Sequence, residues 1–468
     1  MSLSLLKNYG IIPSASIVSF DSQWDTSLAG ISASDEIALP LTNVGGEVYD
    51  FKVLYNDVVI KSITSYLDNV VLFPDGAGIK DIKIIGTIKG FSFSGVTDKL
   101  KIKNITKWGQ SDFINATSTF DGCENLIITA DDTPVNLLSF SDWTSTFRQC
   151  YNLTISNFVN WDFINVLSLK AFDMFPSGND VFNPDLSNYV HASVTNVGNF
   201  RRCRALVGTG VSSWITTSVL EFSPFSDTIA FNQDLTNIDS TSFVTIDRGF
   251  AGSSSFTGVG LDTWFNKVAN LEDMDFAFTS TAITTDLFKN WVMPKLKSAQ
   301  RAFYTLPVDF DLSGWTWTNV ENADQILTNT NTSTANYDLL LASIKAQGFD
   351  NGGTVLSAVQ ISGVEVEIEV VDHNRVIGDT LVLGNASGFT PSAYDGTFVV
   401  TSVTNTSKFR VNLLSDPLGD ATVIGSYGSL KSNVPFGVSA QYSAGTPATN
   451  RASIVSAYSW IITDDGQI

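Results

Sequence analysis

The chain has 468 residues, 43% hydrophobic and 12% aromatic, so it can bury sizeable cores in about two to four domains and is not disordered. Only 16% of residues are charged, and 47 Asp and Glu against 27 Lys and Arg leave a net charge of −20, which repels nucleic-acid phosphates and anionic membrane surfaces. No apolar run reaches the ~18 residues of a membrane span, so neither nucleic-acid binding nor membrane insertion is expected.

Residues 1–13 are short, mildly apolar and outside any repeat. They read either as a frayed terminus or as an anchor that docks into a larger assembly. The first ten residues, MSLSLLKNYG, lack the basic and long apolar regions of a secretory signal, and no Cys is present there for lipidation. Assembly in the cytoplasm is therefore expected. Residues 14–104 alternate as strands, for example Tyr49-Asp50-Phe51-Lys52-Val53-Leu54-Tyr55 and Ile82-Lys83-Ile84-Ile85-Gly86-Thr87-Ile88, with Pro74-Asp75-Gly76-Ala77-Gly78 as a turn. Short strands at this spacing predict a β-sandwich.

Residues 105–330 carry a repeat. A small residue precedes Phe at Phe120, Phe147, Phe172, Phe200, Phe225, Phe250, Phe278 and Phe303, spaced 27, 25, 28, 25, 25, 28 and 25 apart. A ninth, degenerate copy puts Leu327 in the Phe slot. An aromatic precedes most copies: Trp108, Trp161, Tyr189, Trp214, Trp264, Trp291. The stripe Leu296, Ala299, Ala302, Phe303 predicts a short helix before the Phe. Segments such as Leu126-Ile127-Ile128 and Asp185-Leu186-Ser187 predict a short strand after it. One short helix and one short strand per 25 to 28 residues is leucine-rich-repeat geometry, a solenoid of about nine rungs that bury Leu and Phe together. Cys123, Cys150 and Cys203 all fall three residues after a Phe, which predicts small buried core thiols and no disulfide.

Residues 331–363 and 434–468 are expected to close the repeats as a C-terminal cap, with helices near residues 337–344 and 447–458. Residues 364–433 interrupt that cap with a strand-rich insertion, including Gly396-Thr397-Phe398-Val399-Val400 and Phe409-Arg410-Val411-Asn412-Leu413.

Catalytic chemistry is not indicated. The two histidines, His191 and His373, sit in no metal-ligand pattern, and neither a nucleophile elbow nor a phosphate-binding glycine loop occurs. The candidate ligand-facing strand positions are Asp185, Asp234, Asp286 and Asp311, each preceding a Leu in one repeat slot. Three readings apply to them. They tie down turn backbone, stacked pairs hold Ca²⁺, or Asp286 and Asp311 form a glycosidase-like pair. The first is favoured, with no catalytic, cofactor-binding or metal residue expected.

The segments Phe120-Asp121-Gly122-Cys123-Glu124-Asn125-Leu126, Phe147-Arg148-Gln149-Cys150-Tyr151-Asn152-Leu153 and Phe182-Asn183-Pro184-Asp185-Leu186-Ser187 resemble the BspA-type leucine-rich-repeat surface proteins, which include bacterial adhesins and bacteriophage tail proteins. The resemblance covers residues 15–360 and 434–466. It implies an immunoglobulin-like identity for residues 14–104, on Gly86-Thr87-Ile88 and Trp108-Gly109, and a closing cap ending at Trp460-Ile461-Ile462. The insertion resembles a small β-module of phage tail and capsid proteins, on Gly378-Asp379 and Tyr394-Asp395-Gly396-Thr397-Phe398. The implied function is a virion surface fibre or spike of a bacteriophage, without enzymatic activity, that attaches to a host glycan or outer-surface protein. Its N-terminus would contact other virion proteins, and the fibre would be a homo-oligomer, in such fibres usually a trimer. A bacterial cell-surface adhesin and a polysaccharide depolymerase are the alternatives.

Overall fold

The computed structural model describes residues 18–43, 49–88, 90–95, 97–109, 111, 113, 115–198, 200–347, 356–370, 377, 380–383, 392–394, 396–405, 407–417, 420, 427–428 and 434–468. The expected anchor at 1–13, and Asn199, His373, Gly378, Asp379 and Asp395, lie outside them. The protein is mainly β, with two α-helices among the described residues. It divides into two compact units, Met1–Ser242 with Gly249–Gly260, and Phe243–Arg248 with Leu261–Ile468.

The first unit opens with β1 (Phe20–Asp25), β2 (Glu36–Ala38), β3 (Asp50–Tyr55), β4 (Val58–Ile63), β5 (Val70–Leu72), β6 (Ile79–Thr87) and β7 (Ile102–Lys107), followed by β8 (Ile127–Ile128). Six of them form one sheet in the order β4-β3-β6-β1-β7-β8, and β2 pairs β5 separately. Alternation decides the faces: in β1, Phe20, Ser22 and Trp24 point inward, as period two requires. The boundary expected between 104 and 105 falls inside β7, which pairs antiparallel with β1 and parallel with β8. No linker separates the N-terminal strands from the first repeat. Phe93 N–H donates to Thr119 O at 2.9 Å, and Phe91, Phe93 and Trp108 cover Phe120 at 6.4, 6.0 and 5.9 Å between ring centroids.

The loop 30–38 of this unit is pinned by a buried ion pair. Asp98 and Lys101 have fully buried side chains 3.8 Å apart. Asp98 accepts the N–H groups of Ile31 at 2.7 Å, Ser32 at 3.2 Å and Ala38 at 2.6 Å, and the Ser32 hydroxyl. Lys101 Nζ donates to Ser32 O, Ser32 Oγ, Ala33 O and Glu36 O at 3.1, 2.8, 2.8 and 3.0 Å. Buried charges persist when paired and bonded in this way.

Repeating segments then stack in parallel. β9 (Ser168–Leu169), β10 (Asn196–Gly198) and β11 (Glu221–Ser223) form one parallel sheet, extended by an Asp142–Ser168 bridge. Phe120, Phe147, Phe172 and Phe200 stack at 5.4, 5.5 and 5.3 Å with rings within 11° of parallel. That spacing matches the ~4.8 Å between hydrogen-bonded strands. In the second unit Thr245, Asp273, Ser298 and Asn322 bridge in series, and Phe278 stacks on Phe303 at 6.0 Å and 9°. The repeat Phe residues are fully buried in both units, as expected. All three cysteines are free and buried, and burial pushes each thiol well up.

The helix expected before each Phe does not form. Leu296, Ala299, Ala302 and Phe303 are buried, but their backbone is turns. The N–H groups of Ala299, Arg301 and Phe303 are spent on the neighbouring repeat, at Asn322 O, Asp324 O and Ile326 O. Those donors are the ones an α-helix needs internally. In addition, at the later Phe slots the residues two before and two after are left-handed: Arg301 at φ 52° and Thr305 at φ 67° flank Phe303, and Gln325 at φ 55° and Asn329 at φ 59° flank Leu327. A right-handed helix cannot run through such positions. The same pattern supports Leu327 as a ninth copy.

The second unit ends with β12 (Ala323–Leu327), α1 (Thr334–Lys345), β13 (Ser357–Ser362), β14 (Glu365–Glu369), β15 (Thr380–Leu383), β16 (Gly396–Asn405), β17 (Lys408–Asn412), β18 (Tyr427–Gly428), β19 (Pro435–Val438), α2 (Thr446–Tyr458) and β20 (Ile461–Thr463). Ser333 caps α1 by accepting Asn336 N–H at 3.3 Å, and Tyr337, Leu340, Leu341 and Ile344 form its buried stripe. β19 lies parallel between β12 and β20, so chain from both sides of the insertion builds one sheet. Gly437 is required there, because a Cβ would sit 2.5 Å from Gln325 N. Tyr337 donates to Asp464 at 2.7 Å, and Arg451 Nε donates to the same carboxylate at 2.7 Å, tying α1 and α2 to the chain end.

The insertion forms its own sheet, in the order β13-β14-β17-β16-β15-β18. Val366, Ile368, Phe398, Val400, Phe409 and Val411 lie in its core. On the other face of β14, Glu365, Glu367 and Glu369 meet Arg410 and Lys408 of β17 at 3.3 to 3.7 Å. The sheet starts at Ser357, earlier than the expected 364. β13 is bound to β14 by a tight turn at Gly363 (φ 50°), so residue 363 is the middle of a hairpin and not a boundary.

Candidate functional site

The four aspartates expected on strands lie outside the strands, each two or three residues before a turn. Asp185 Oδ1 accepts Ser187 N–H at 2.9 Å and Ser187 Oγ at 2.5 Å. Asp234 does the same with Thr236 at 2.8 and 2.5 Å, and the Thr236 hydroxyl and N–H hold its carboxyl below the usual range. The side chain captures the N–H two residues on, which a strand would give to a neighbour, so the Asp-Leu-Ser sequence makes a turn. The strands of β9, β10 and β11 precede the Phe slot; only the early β8 follows it.

Asp185 and Asp234 are separated by the repeat that carries Gly210. Asp286 and Asp311 are neighbours: Asp311 N–H donates to Asp286 Oδ2 at 2.8 Å. Burial raises the Asp286 carboxyl. For Asp311 burial acts the same way, but Lys289 at 2.6 Å and the Ser313 hydroxyl outweigh it and hold the carboxyl low. Each carboxylate is thus occupied by backbone, hydroxyl or Lys289. Among the described residues no group of three or more His, Cys, Asp or Glu side chains could hold a metal ion.

The strand faces carry other polar columns. In the first unit these are Asp142, Ser168, Asn196 and Glu221, with Lys170 bridging two repeats to Glu221 at 2.7 Å. In the second unit Thr245, Asp273, Ser298 and Asn322 are followed two residues on by Asp247, Asp275, Gln300 and Asp324. Burial, with Asp273 and Asp275 nearby, pushes Asp247 up to about 6 against the pull of Arg248. Arg248 and Arg301 lie over the Phe276 ring at 4.6 and 5.7 Å.

A concavity lined by both apolar and polar side chains lies in the first unit, between segments 133–138 and 160–165, and holds about 210 Å³. A short 3-10 turn at Leu137–Ser139 places Leu138 at its base, with Val135 and Thr133 beside it. A second, Phe158–Asn160, buries Phe158 and ends at buried Trp161, so Asn160, Asp162, Ile164 and Asn165 project outward. Asp162 Oδ1 accepts Ile164 N–H at 3.1 Å and faces His191 Nε2 at 3.5 Å. His191 Nε2 is also 2.9 Å from Asn188 O. Among the described residues the Thr133 hydroxyl and the Asn165 carboxamide have no hydrogen-bond partner. Sequence reading missed this groove, since its residues come from adjacent repeats and share no motif.

The fold and these surfaces define a mainly-β protein of stacked repeats displaying short polar side chains. The chain belongs to the family described as "Mycoplasma protein of unknown function, DUF285": its model matches residues 90–200, 141–264, 197–309 and 223–339, which together exceed half of the 468 residues. The successive starts differ by 51, 56 and 26 residues, one or two repeat lengths. No curated protein and no solved structure matches the chain.

Proposed function

We propose that this protein is a non-catalytic recognition protein on the surface of a bacteriophage particle, a fibre or spike that attaches to the bacterial host. In this reading residues 14–104 are an immunoglobulin-like sandwich. The repeats are a BspA-type leucine-rich-repeat solenoid, and the insertion is a small β-module like those of phage tail and capsid proteins. Residues 1–13 dock onto other virion proteins, and the molecule is a homo-oligomer, a trimer by analogy with other phage fibres. The observation that carries the reading is the groove of the first unit. It offers hydrogen-bonding groups, at Thr133, Asp162 and Asn165, beside the aliphatic side chains of Val135, Leu138 and Ile164. Convergent polar groups beside apolar ones suit the binding of a small polar ligand. The alternative reading is an adhesin on a bacterial cell surface.

The test is binding of labelled full-length protein to a panel of bacterial strains, followed by phage challenge of the strains that bind. Coating of cells, protection from infection and no release of sugar with time are expected. Absence of binding to every strain, or time-dependent release of reducing sugar, overturns the proposal. Binding without protection from any phage, with labelling of a cell envelope instead, favours the adhesin.

A further inference from the structure

We infer that the groove between segments 133–138 and 160–165 takes a single neutral N-acetylhexosamine residue of a surface glycan; this names the ligand class for the recognition function proposed above and rests on it. Size is the first constraint. A volume of about 210 Å³ is below the ~300 Å³ at which drug-sized ligand pockets begin, and suits one sugar ring with one substituent rather than a chain of rings.

Chemistry is the second. Val135 and Ile164 are 72% and 56% exposed, and Leu138 lies buried beneath them, so water meets an aliphatic patch at the groove. Covering that patch with a methyl group is favourable, because it takes apolar surface out of water. Asn165 offers one carbonyl and two N–H donors, matching the N–H and C=O of an acetamido group, whose methyl then falls on the aliphatic patch. The Thr133 hydroxyl and the free oxygen of Asp162 remain for ring hydroxyls. Such groups add specificity, because a ligand that covers them without a matching donor or acceptor leaves them unpaired.

Charge is the third. The lining contains one carboxylate, Asp162, whose side chain is 66% exposed, and no Lys or Arg. A uronate, phosphate or sulfate in the groove would lie against Asp162 in a chain of net charge −20. An anionic occupant is therefore disfavoured. No aromatic ring lines the groove, so a single site holds its sugar weakly, and many copies on one particle would raise the apparent affinity by roughly 10² to 10⁴.

The experiment uses the full-length protein and saturation-transfer NMR. The probes are the methyl glycosides of N-acetylglucosamine and N-acetylgalactosamine, with methyl glucoside and glucuronic acid for comparison. The expected result is strongest saturation at the acetamido methyl of at least one N-acetylhexosamine and none for glucuronic acid. Asn165→Ala should weaken that sugar at least tenfold, with an unchanged melting temperature, since the side chain is exposed. Thr133→Val gives a second, independent loss, and Asp162→Asn should admit glucuronic acid. No saturation of either N-acetylhexosamine by the wild type, or undiminished binding by both Asn165→Ala and Thr133→Val, overturns the inference. Cell binding is measured in parallel. Wild-type protein that binds cells but no N-acetylhexosamine refutes the groove and leaves the recognition function standing. Sugar binding lost on Asn165→Ala, in a protein that coats no cells, supports the groove and counts against host attachment.

Discussion

Replacing Lys101 by Met tests the buried pair that holds loop 30–38. Met keeps most of the unbranched side chain, so packing changes little while the ammonium and its four hydrogen bonds are lost. The Ser32, Ala33 and Glu36 carbonyls each lose a donor. Asp98 remains fully buried, still held by the N–H groups of Ile31, Ser32 and Ala38, but with no cation beside it. Removing one partner of such a pair costs about 3 to 5 kcal/mol. Asp98→Asn in the same background removes the stranded charge, so the double variant should recover about 1 to 3 kcal/mol relative to the sum of the single changes. Because the chain has two compact units, one global midpoint would mix two transitions. The assay is therefore native-state hydrogen exchange read by mass spectrometry on peptides covering residues 28–40, alongside urea unfolding. Lys101→Met should speed exchange there by about two to three orders of magnitude, as 3 to 5 kcal/mol implies at 1.4 kcal/mol per tenfold. Exchange and unfolding equal to wild type would refute the reasoning.

Phe200→Ala should cost about 3 to 5 kcal/mol in the first unit, because its ring is fully buried and stacks on Phe172, Phe225 and Tyr189 at 5.3, 6.1 and 5.0 Å; a loss below 1 kcal/mol in urea unfolding would contradict the stacked core. Asp247 ionises near 6 in the fold and near 3.9 unfolded, so its contribution is fully present below about pH 4 and is lost as pH rises through about 6. The side chain is 35% exposed, so solvent screening reduces the effect to about 1 to 2 kcal/mol; Asp247→Asn should be more stable than wild type at pH 7 and equal at pH 4, and the opposite order would refute the assignment. Replacing residues 357–432 with a short Gly-Ser linker should leave β12, β19 and β20 paired, seen as retained protection of residues 323–327, whereas deletion from 364 would strand β13 and expose its apolar positions.

The one-dimensional order of this protein was legible in its residues. The recurrence of Phe at 25 to 28 residues marks which side chains share a slot, because every copy must bury the same ring against its neighbours. The shared Cys slot, the helices at Thr334–Lys345 and Thr446–Tyr458 and the strand at Pro435–Val438 follow from the same kind of local pattern. Tertiary structure decided what the apolar spacing could not. Leu296, Ala299, Ala302 and Phe303 fit a helical stripe, yet the N–H groups of Ala299 and Phe303 go to the next repeat, and left-handed Arg301 and Thr305 stop a helix there. Asp185, Asp234, Asp286 and Asp311 were visible as a repeated slot. Whether their carboxylates face a ligand or their own backbone depends on a hydrogen bond two residues away. The Asp98–Lys101 pair and the groove at Thr133, Asp162 and Asn165 carry no sequence signal. Each joins residues whose neighbours in space are set only when separate strands or successive repeats pack.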